Sequence, residues 1–155
     1  MNIHVGGKAP DFTLPDQAGK NHALSSSRGS WVLLYFYPKD DTPGCTKEAC
    51  GVRDTFPRFK KLDIVVYGVS VDSVVSHKKF AEKYNLPFPL LSDEKKQVVT
   101  LYGVWQKKKL AGREYQGTVR TSFLIDLHGK IAKIYKTVKP ETHAEEVLKD
   151  LKRLQ

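Results

Sequence analysis

The stretch PKDDTPGCTKEAC, Pro38 to Cys50, holds both cysteines of the chain, Cys45 and Cys50, five residues apart. Two close thiols can serve as a catalytic redox pair or share a metal, or they can be two small inert core residues. A metal would need at least two further ligands, and the five histidines are scattered at 4, 22, 77, 128 and 143. Two cysteines cannot build a secreted disulfide framework. The N-terminus, MNIHVGGKAPDF, lacks the basic-then-apolar pattern of a secretion signal, so a cytoplasmic location is expected. In that setting a single close pair points to thiol chemistry.

The residues before Cys45 predict a helix start. With Thr42 as N-cap, Pro43 falls at the first helical position, where its missing N–H costs nothing and its φ is already helical. Cys45 is then third in the helix. Its sulfur would lie near unpaired backbone N–H groups and the positive end of the helix dipole, both of which favour a thiolate. The Thr42 hydroxyl is also placed to hydrogen-bond near the sulfur. Asp40 and Asp41 would oppose the thiolate if they pointed inward, and they are expected to be solvated. Cys50 falls on another face: five helical residues give ~7.5 Å of rise and ~140° of rotation, hence roughly 8–9 Å between Cα atoms. A disulfide needs about 4.4–6.8 Å. The two thiols can join only if the helix opens locally, and a helix N-terminus is where opening costs least.

The elements that must hold this turn follow from hydrophobic patterning. WVLLYFYP, bounded by Gly29 and Pro38, is a continuous apolar run of strand length and suits a strand buried on both faces. Cys45, Ala49, Val52, Phe56 and Phe59 then recur at helical spacing, with Pro57 expected to kink or end that helix near Phe56. DIVVYGVSVD reads as a second buried strand. HKKFAEKYNL is a helix closed by Asn85 and Pro87, PFPLLSD a short strand and QVVTLYGVW a brief helical segment. TSFLIDLHGKIAKIYKTV reads as a hairpin turning at His128-Gly129. THAEEVLKDLKRL is a final helix whose Thr142 and Glu145 have capping-box spacing. APDFTLPDQAGKN forms a short N-terminal hairpin around Asp16 to Gly19. The order predicts one thioredoxin-like α/β domain over residues 1–155, a mixed central sheet with helices on both faces. Cys45 then follows the C-terminal end of the first buried strand, where open α/β sheets gather their reaction sites.

Composition bounds the rest. With 155 residues, 40% apolar and 28% charged, the chain suits a globular domain with a real core, and no run reaches the ~18 apolar residues of a membrane helix. The net charge of +9 could serve a polyanionic partner, but the cations are interleaved with acids. The one tight cluster, QKKKL beside Gly112, reads as a solvated loop. No aromatic-interleaved basic stripe or helix-turn-helix accompanies it, so no specific nucleic-acid or membrane partner is expected.

The motif Pro38-x-x-x-Thr42-x-x-Cys45 resembles the active-site motif of peroxiredoxins. YFYPKDDTPGCTKEACGVRD closely resembles the peroxiredoxin Q, or bacterioferritin comigratory protein, subgroup, and the likeness continues in APDFTLPDQAG, YGVSVDSVVSHKKFAEKYNLPFPLLSD, YGVW and TSFLIDLHGKI. Pro57 departs from that pattern. The resemblance implies that Cys45 is the peroxidatic cysteine and Cys50 the resolving one, a residue some members lack. It implies that Thr42 orients the peroxide, that Pro38 shields the pocket, and that the family's active-site arginine is Arg120, in GTVRTSFLID. It further implies a hydroperoxide substrate, hydrogen peroxide or organic. Thioredoxin or a similar dithiol would be the reductant. No metal, haem or flavin cofactor is called for, and the state would be a monomer, a weak dimer being the alternative.

For such chemistry, making the thiolate is not enough. A free thiol of pKa ~8.5 is about a tenth or less ionised near neutrality, so complete ionisation gains roughly tenfold. Nucleophilicity falls with pKa at a slope of about 0.4–0.5, so ~2.5 units of lowering forfeits about as much. The rate must come from donors that stabilise charge on the departing oxygen, for which Arg120, Thr42 and the Cys45 N–H are the candidates. Two other functions share features of the chain. A thioredoxin-like thiol–disulfide oxidoreductase shares the fold but would use C-x-x-C, and a redox-sensing basic binding protein would use the charge.

Overall fold

The computed structural model describes residues 3–155. Its centre is a five-stranded sheet in the order β5-β4-β3-β8-β9, formed by β3 (Trp31–Phe36), β4 (Ile64–Ser70), β5 (Leu90–Ser92), β8 (Thr121–Ile125) and β9 (Ile131–Tyr135). β3, β4 and β5 run parallel, while β8 and β9 are antiparallel additions on the other side of β3. This is the mixed sheet of a thioredoxin-like α/β fold.

The central strand carries large side chains on both faces, so each face is covered. Leu33, Tyr35 and Tyr37 point to one core, shared with α1 (Pro43–Lys61), α2 (Val74–Tyr84) and α4 (His143–Leu154). Val32, Leu34 and Phe36 point to a second core, closed by α3 (Gln97–Leu101), a 3-10 turn at Leu24–Ser27 and the N-terminal segment. That segment contains the expected hairpin, β1 (Thr13–Pro15) with β2 (Asn21–Ala23), turned by Asp16, whose carboxylate accepts from the N–H groups of Ala18 and Lys20. Gly68 on β4 lets the Tyr35 ring cross the sheet: a Cβ there would lie 2.8 Å from Tyr35 Cζ.

Several local expectations are corrected. α1 does not end at Phe56 but continues through Pro57 to Lys61. Pro57 is exposed, so the carbonyl it leaves without an N–H partner can face water, while Phe59 is fully buried and Phe56 packs on the same core. Tertiary burial outweighs the local penalty. Thr142 precedes α4, but its side chain makes no capping bond; Glu145 instead pairs with Arg58 of α1. The segment expected as a lysine-rich loop is a strand, β6 (Trp105–Leu110), paired in register with β7 (Arg113–Thr118) as an exposed hairpin outside the main sheet. Its alternate positions read as polar because, past Trp105, which rests on the second core, most of the strand is exposed. α2 starts three residues before His77, at Val74, where the Ser73 hydroxyl accepts from Ser76 N–H, and Asn85 closes it as expected, in the left-handed region with φ 53°.

Candidate active site

β3 ends at Phe36, and the chain turns through Tyr37–Asp41 into α1. Thr42 takes the extended conformation of an N-cap, φ −97° and ψ 156°, and Pro43 is the first helical residue. The consequence is Cys45 in the first turn, 2% exposed, at the end of the central strand. The Thr42 hydroxyl does not reach toward the helix here; it donates to the Lys39 carbonyl at 2.9 Å and so rigidifies the turn. Pro38 is half-buried in the bend leading to that turn.

Arg120 arrives from the opposite direction, from the residue before β8, which pairs antiparallel with β3. Its Nη2 donates to the Cys45 sulfur at 3.3 Å, across 75 positions of sequence. The two residues linked in the sequence reading by resemblance alone are thus in contact.

The second partner of Arg120 is Glu48, one helical turn after Cys45. Arg120 Nη1 donates to Glu48 Oε1 at 2.7 Å, and the Glu48 side chain has no exposed surface. Burial pushes the Glu48 carboxyl up to about 7, against the lowering pull of the Arg120 charge and hydrogen bond. Burial also opposes the charge on Arg120, but Glu48 and the Cys45 sulfur together raise it above the usual arginine value. Glu48 Oε2 and the Tyr35 hydroxyl are both buried with no hydrogen-bond partner among the described residues. Glu48 was not among the site residues expected from the sequence. The available signal was an acid three residues after Cys45, beside the buried stripe, where an unpaired carboxylate would be costly and a cation from elsewhere is therefore required.

Asp40 is not solvated as expected; it is 8% exposed. Its carboxylate accepts from the Tyr37 hydroxyl at 2.6 Å and the Ser76 hydroxyl at 2.8 Å, and pairs with His77 Nδ1 at 2.7 Å. His77 Nε2 donates to the Leu91 carbonyl at 2.9 Å, and the Asp40 N–H donates to Asp72 Oδ2 at 2.8 Å. Asp40 therefore pins the turn before Cys45 to α2 and to β5. Only Asp41 is exposed, with Lys83 and Tyr84 as partners. Asp40, Asp72 and His77 are the one group among the described residues with metal-ligand chemistry within 4.8 Å, and these hydrogen bonds already occupy its atoms.

Cys50 is half-buried on the same intact helix, and both cysteines are free thiols. No helix among the described residues is long and apolar enough to cross a membrane.

The arrangement is a buried sulfur at a helix N-terminus, touched by a guanidinium that a buried acid holds in place. It can stabilise negative charge on sulfur and on an atom displaced when that sulfur attacks a substrate. Comparison with known proteins agrees with that chemistry. Residues 5–134 match the model of the AhpC/TSA family. The chain is 47% identical over 152 residues to peroxiredoxin Bcp of Bacillus subtilis, covering 98% of this chain and 97% of that one. A cysteine-to-serine mutant of PrxQ from Xylella fastidiosa superposes with a TM-score of 0.94 at 33% identity, covering 99% of this chain and 98% of that one. The bacterioferritin comigratory protein of Xanthomonas campestris, described for its alkyl peroxide reduction activity, gives a TM-score of 0.87 at 35% identity, with 92% and 91% covered.

Proposed function

Since the chain belongs to the AhpC/TSA family and is a thiol peroxidase of the peroxiredoxin type, we propose that Cys45 is its peroxidatic cysteine, Cys50 its resolving cysteine, and Arg120 the donor that makes the first step fast. The contact of Arg120 with the Cys45 sulfur, at 3.3 Å in a buried site, carries this reading.

The Cys45 thiolate attacks one oxygen of the hydroperoxide. An S–O bond forms and the O–O bond breaks, with the electron pair leaving on the other oxygen. That oxygen takes up a proton to become water or an alcohol, and the sulfur is left as a sulfenic acid. Negative charge moves from sulfur to the departing oxygen, and Arg120, the Cys45 N–H and a reoriented Thr42 hydroxyl are the donors placed around that path. Pro38 shields the pocket at the strand exit. The Cys50 thiolate then attacks the Cys45 sulfur and expels hydroxide, which is protonated to water, giving an intramolecular disulfide. An intact α1 holds the Cα atoms about 8–9 Å apart, beyond disulfide reach, so its first turns must open for this step. A dithiol, thioredoxin or one like it, restores both thiols by exchange. We place this cycle in a cytoplasmic, monomeric, single-domain protein acting on hydrogen peroxide and organic hydroperoxides.

The test follows peroxide consumption and the mass of the protein in parallel. Wild type should yield one disulfide per chain. Cys50→Ser should consume one equivalent of peroxide and hold a sulfenic acid that a dimedone probe captures, and Cys45→Ser should do neither. Rapid consumption by Cys45→Ser would overturn the assignment.

A further inference from the structure

We infer that Gly44 is a positioning residue for the peroxidase reaction: the missing side chain at this position is what allows the Arg120 guanidinium to lie against the Cys45 sulfur. The inference rests on the role of Arg120 proposed above.

Gly44 is the second residue of α1, and its φ lies outside the left-handed region, so the backbone makes no demand for glycine. Helix propensity argues against it, since glycine is the poorest helix former after proline. The demand is spatial. A Cβ at Gly44 would lie 3.0 Å from Arg120 Nη2, the same nitrogen that donates to Cys45 Sγ, and 3.8 Å from Arg120 Cζ. Pro140, in the loop before α4, walls the other side, with its Cγ at 3.9 Å from the same point. The carbonyl of Pro140 also lies 3.8 Å from where a Cβ at Gly51 would be, so this loop rests on α1 at two glycines and is poorly placed to retreat.

Which neighbour yields to an added methyl decides the outcome. The end of an arginine is a flexible group, and moving it costs the fold little. This guanidinium, however, is tethered at Nη1 by Glu48, whose side chain has no exposed surface and itself cannot follow. It would pivot about that anchor and lift Nη2 off the sulfur. Stability and rate therefore separate: an alanine at this position keeps or strengthens the helix while loosening the donor from the reacting atom. The guanidinium has to give by a few tenths of an ångström, and since about 1 Å of misplacement at a reacting centre costs about a hundredfold, the loss here is on the order of three- to tenfold.

The experiment compares wild type, Gly44→Ala, Arg120→Ala and the double variant, measuring the second-order rate of reduced protein with hydrogen peroxide and the thermal unfolding midpoint. Gly44→Ala should react about three- to tenfold more slowly with an equal or higher midpoint. In the Arg120→Ala background the same change should alter the rate by less than about twofold, because the residue acts through the guanidinium. A wild-type rate in Gly44→Ala overturns the inference, as does an equal fold-loss in both backgrounds, which would make the glycine a space for substrate. A lowered midpoint overturns it too, since the methyl would then strike the fold. If Arg120→Ala alone keeps the wild-type rate, it is the reading of Arg120 that falls, and that outcome is read from a different variant.

Discussion

Arg120 and Glu48 form a buried ion pair, Nη1 to Oε1 at 2.7 Å, and the free edge of the same guanidinium donates to Cys45 at 3.3 Å. One cation thus fastens the start of β8 to the first turn of α1. The acid sits one turn from the Cys45 sulfur on the same helix. In a site this dry, the placement of a single donor can weigh more than the ionisation of the nucleophile.

The first consequence concerns Arg120→Ala. For an ordinary thiol, loss of thiolate near neutral pH is worth about tenfold. Loss of a preorganised donor at the departing oxygen should cost about 10²–10³-fold. The peroxide rate of the variant should therefore fall well beyond the fall in its thiolate fraction, read by ultraviolet absorbance against pH. Equal losses would remove Arg120 from the bond-breaking step.

Glu48 makes a pH prediction with a definite sign. Its folded value is raised from 4.5 to about 7, chiefly by burial. A raised carboxyl contributes stability fully below the unfolded value, and that contribution is lost as pH rises through about 7, when a buried charge must form. The loss should be on the order of 2–3 kcal/mol between pH ~5 and ~8. Glu48→Gln keeps an oxygen for Arg120 but does not titrate, so urea unfolding of this variant should be flatter across that window. The same slope in both proteins would contradict the burial of an ionising Glu48.

The fold was legible in the sequence where one pattern dominates. WVLLYFYP, DIVVYGVSVD and the Cys45–Phe59 stripe became β3, β4 and α1 because each is too apolar to lie anywhere but in the core. The site was legible only in part. Thr42, Pro43 and Cys45 are local, so helix-start chemistry places them, whereas the contact of Arg120 with Cys45 depends on β8 pairing with β3, and no local rule gives that. Asp40 was misjudged for the same reason: a charge beside another charge looks solvated until His77 and Tyr37 are brought to it by α2 and β3. Pro57 and the β6–β7 hairpin show the converse, local signals for a helix end and a loop that packing and strand pairing override.

Asp40 should therefore matter for the shape of the site. Its carboxylate is the hub for Tyr37, Ser76 and His77, with His77 fully buried. Removing one partner of a buried pair typically costs about 3–5 kcal/mol. Asp40→Ala should lower stability by that order in denaturant unfolding. It should also speed disulfide formation relative to wild type in the same peroxide-treated sample, because the turn before α1 is no longer held to α2. A variant as stable as wild type would mean that the pair is not made in solution.

Asp150 sets the acid side of the stability curve. Its carboxylate is 7% exposed and accepts from Lys133 at 2.7 Å, the Tyr135 hydroxyl at 2.6 Å and Arg153 at 2.6 Å. Burial works against its charge, yet these hydrogen bonds, Lys133 foremost, hold it down at about 2. A depressed carboxyl contributes stability above its ordinary value of 3.8, and that contribution is lost as pH falls through about 2. Because Lys133 and Arg153 are partly exposed, screening reduces the contribution to about 1–2 kcal/mol. Asp150→Asn should be less stable than wild type at pH ~7 by that amount, and the two proteins should converge in acid unfolding near pH ~2. Because α4 packs on α1, the variant should also loosen the loop carrying Pro140, and amide exchange in residues 136–142 should quicken at neutral pH but not at pH ~2. Exchange that stays slow at both values would mean that Asp150 anchors α4 to β9 without any hold on the loop that carries Pro140.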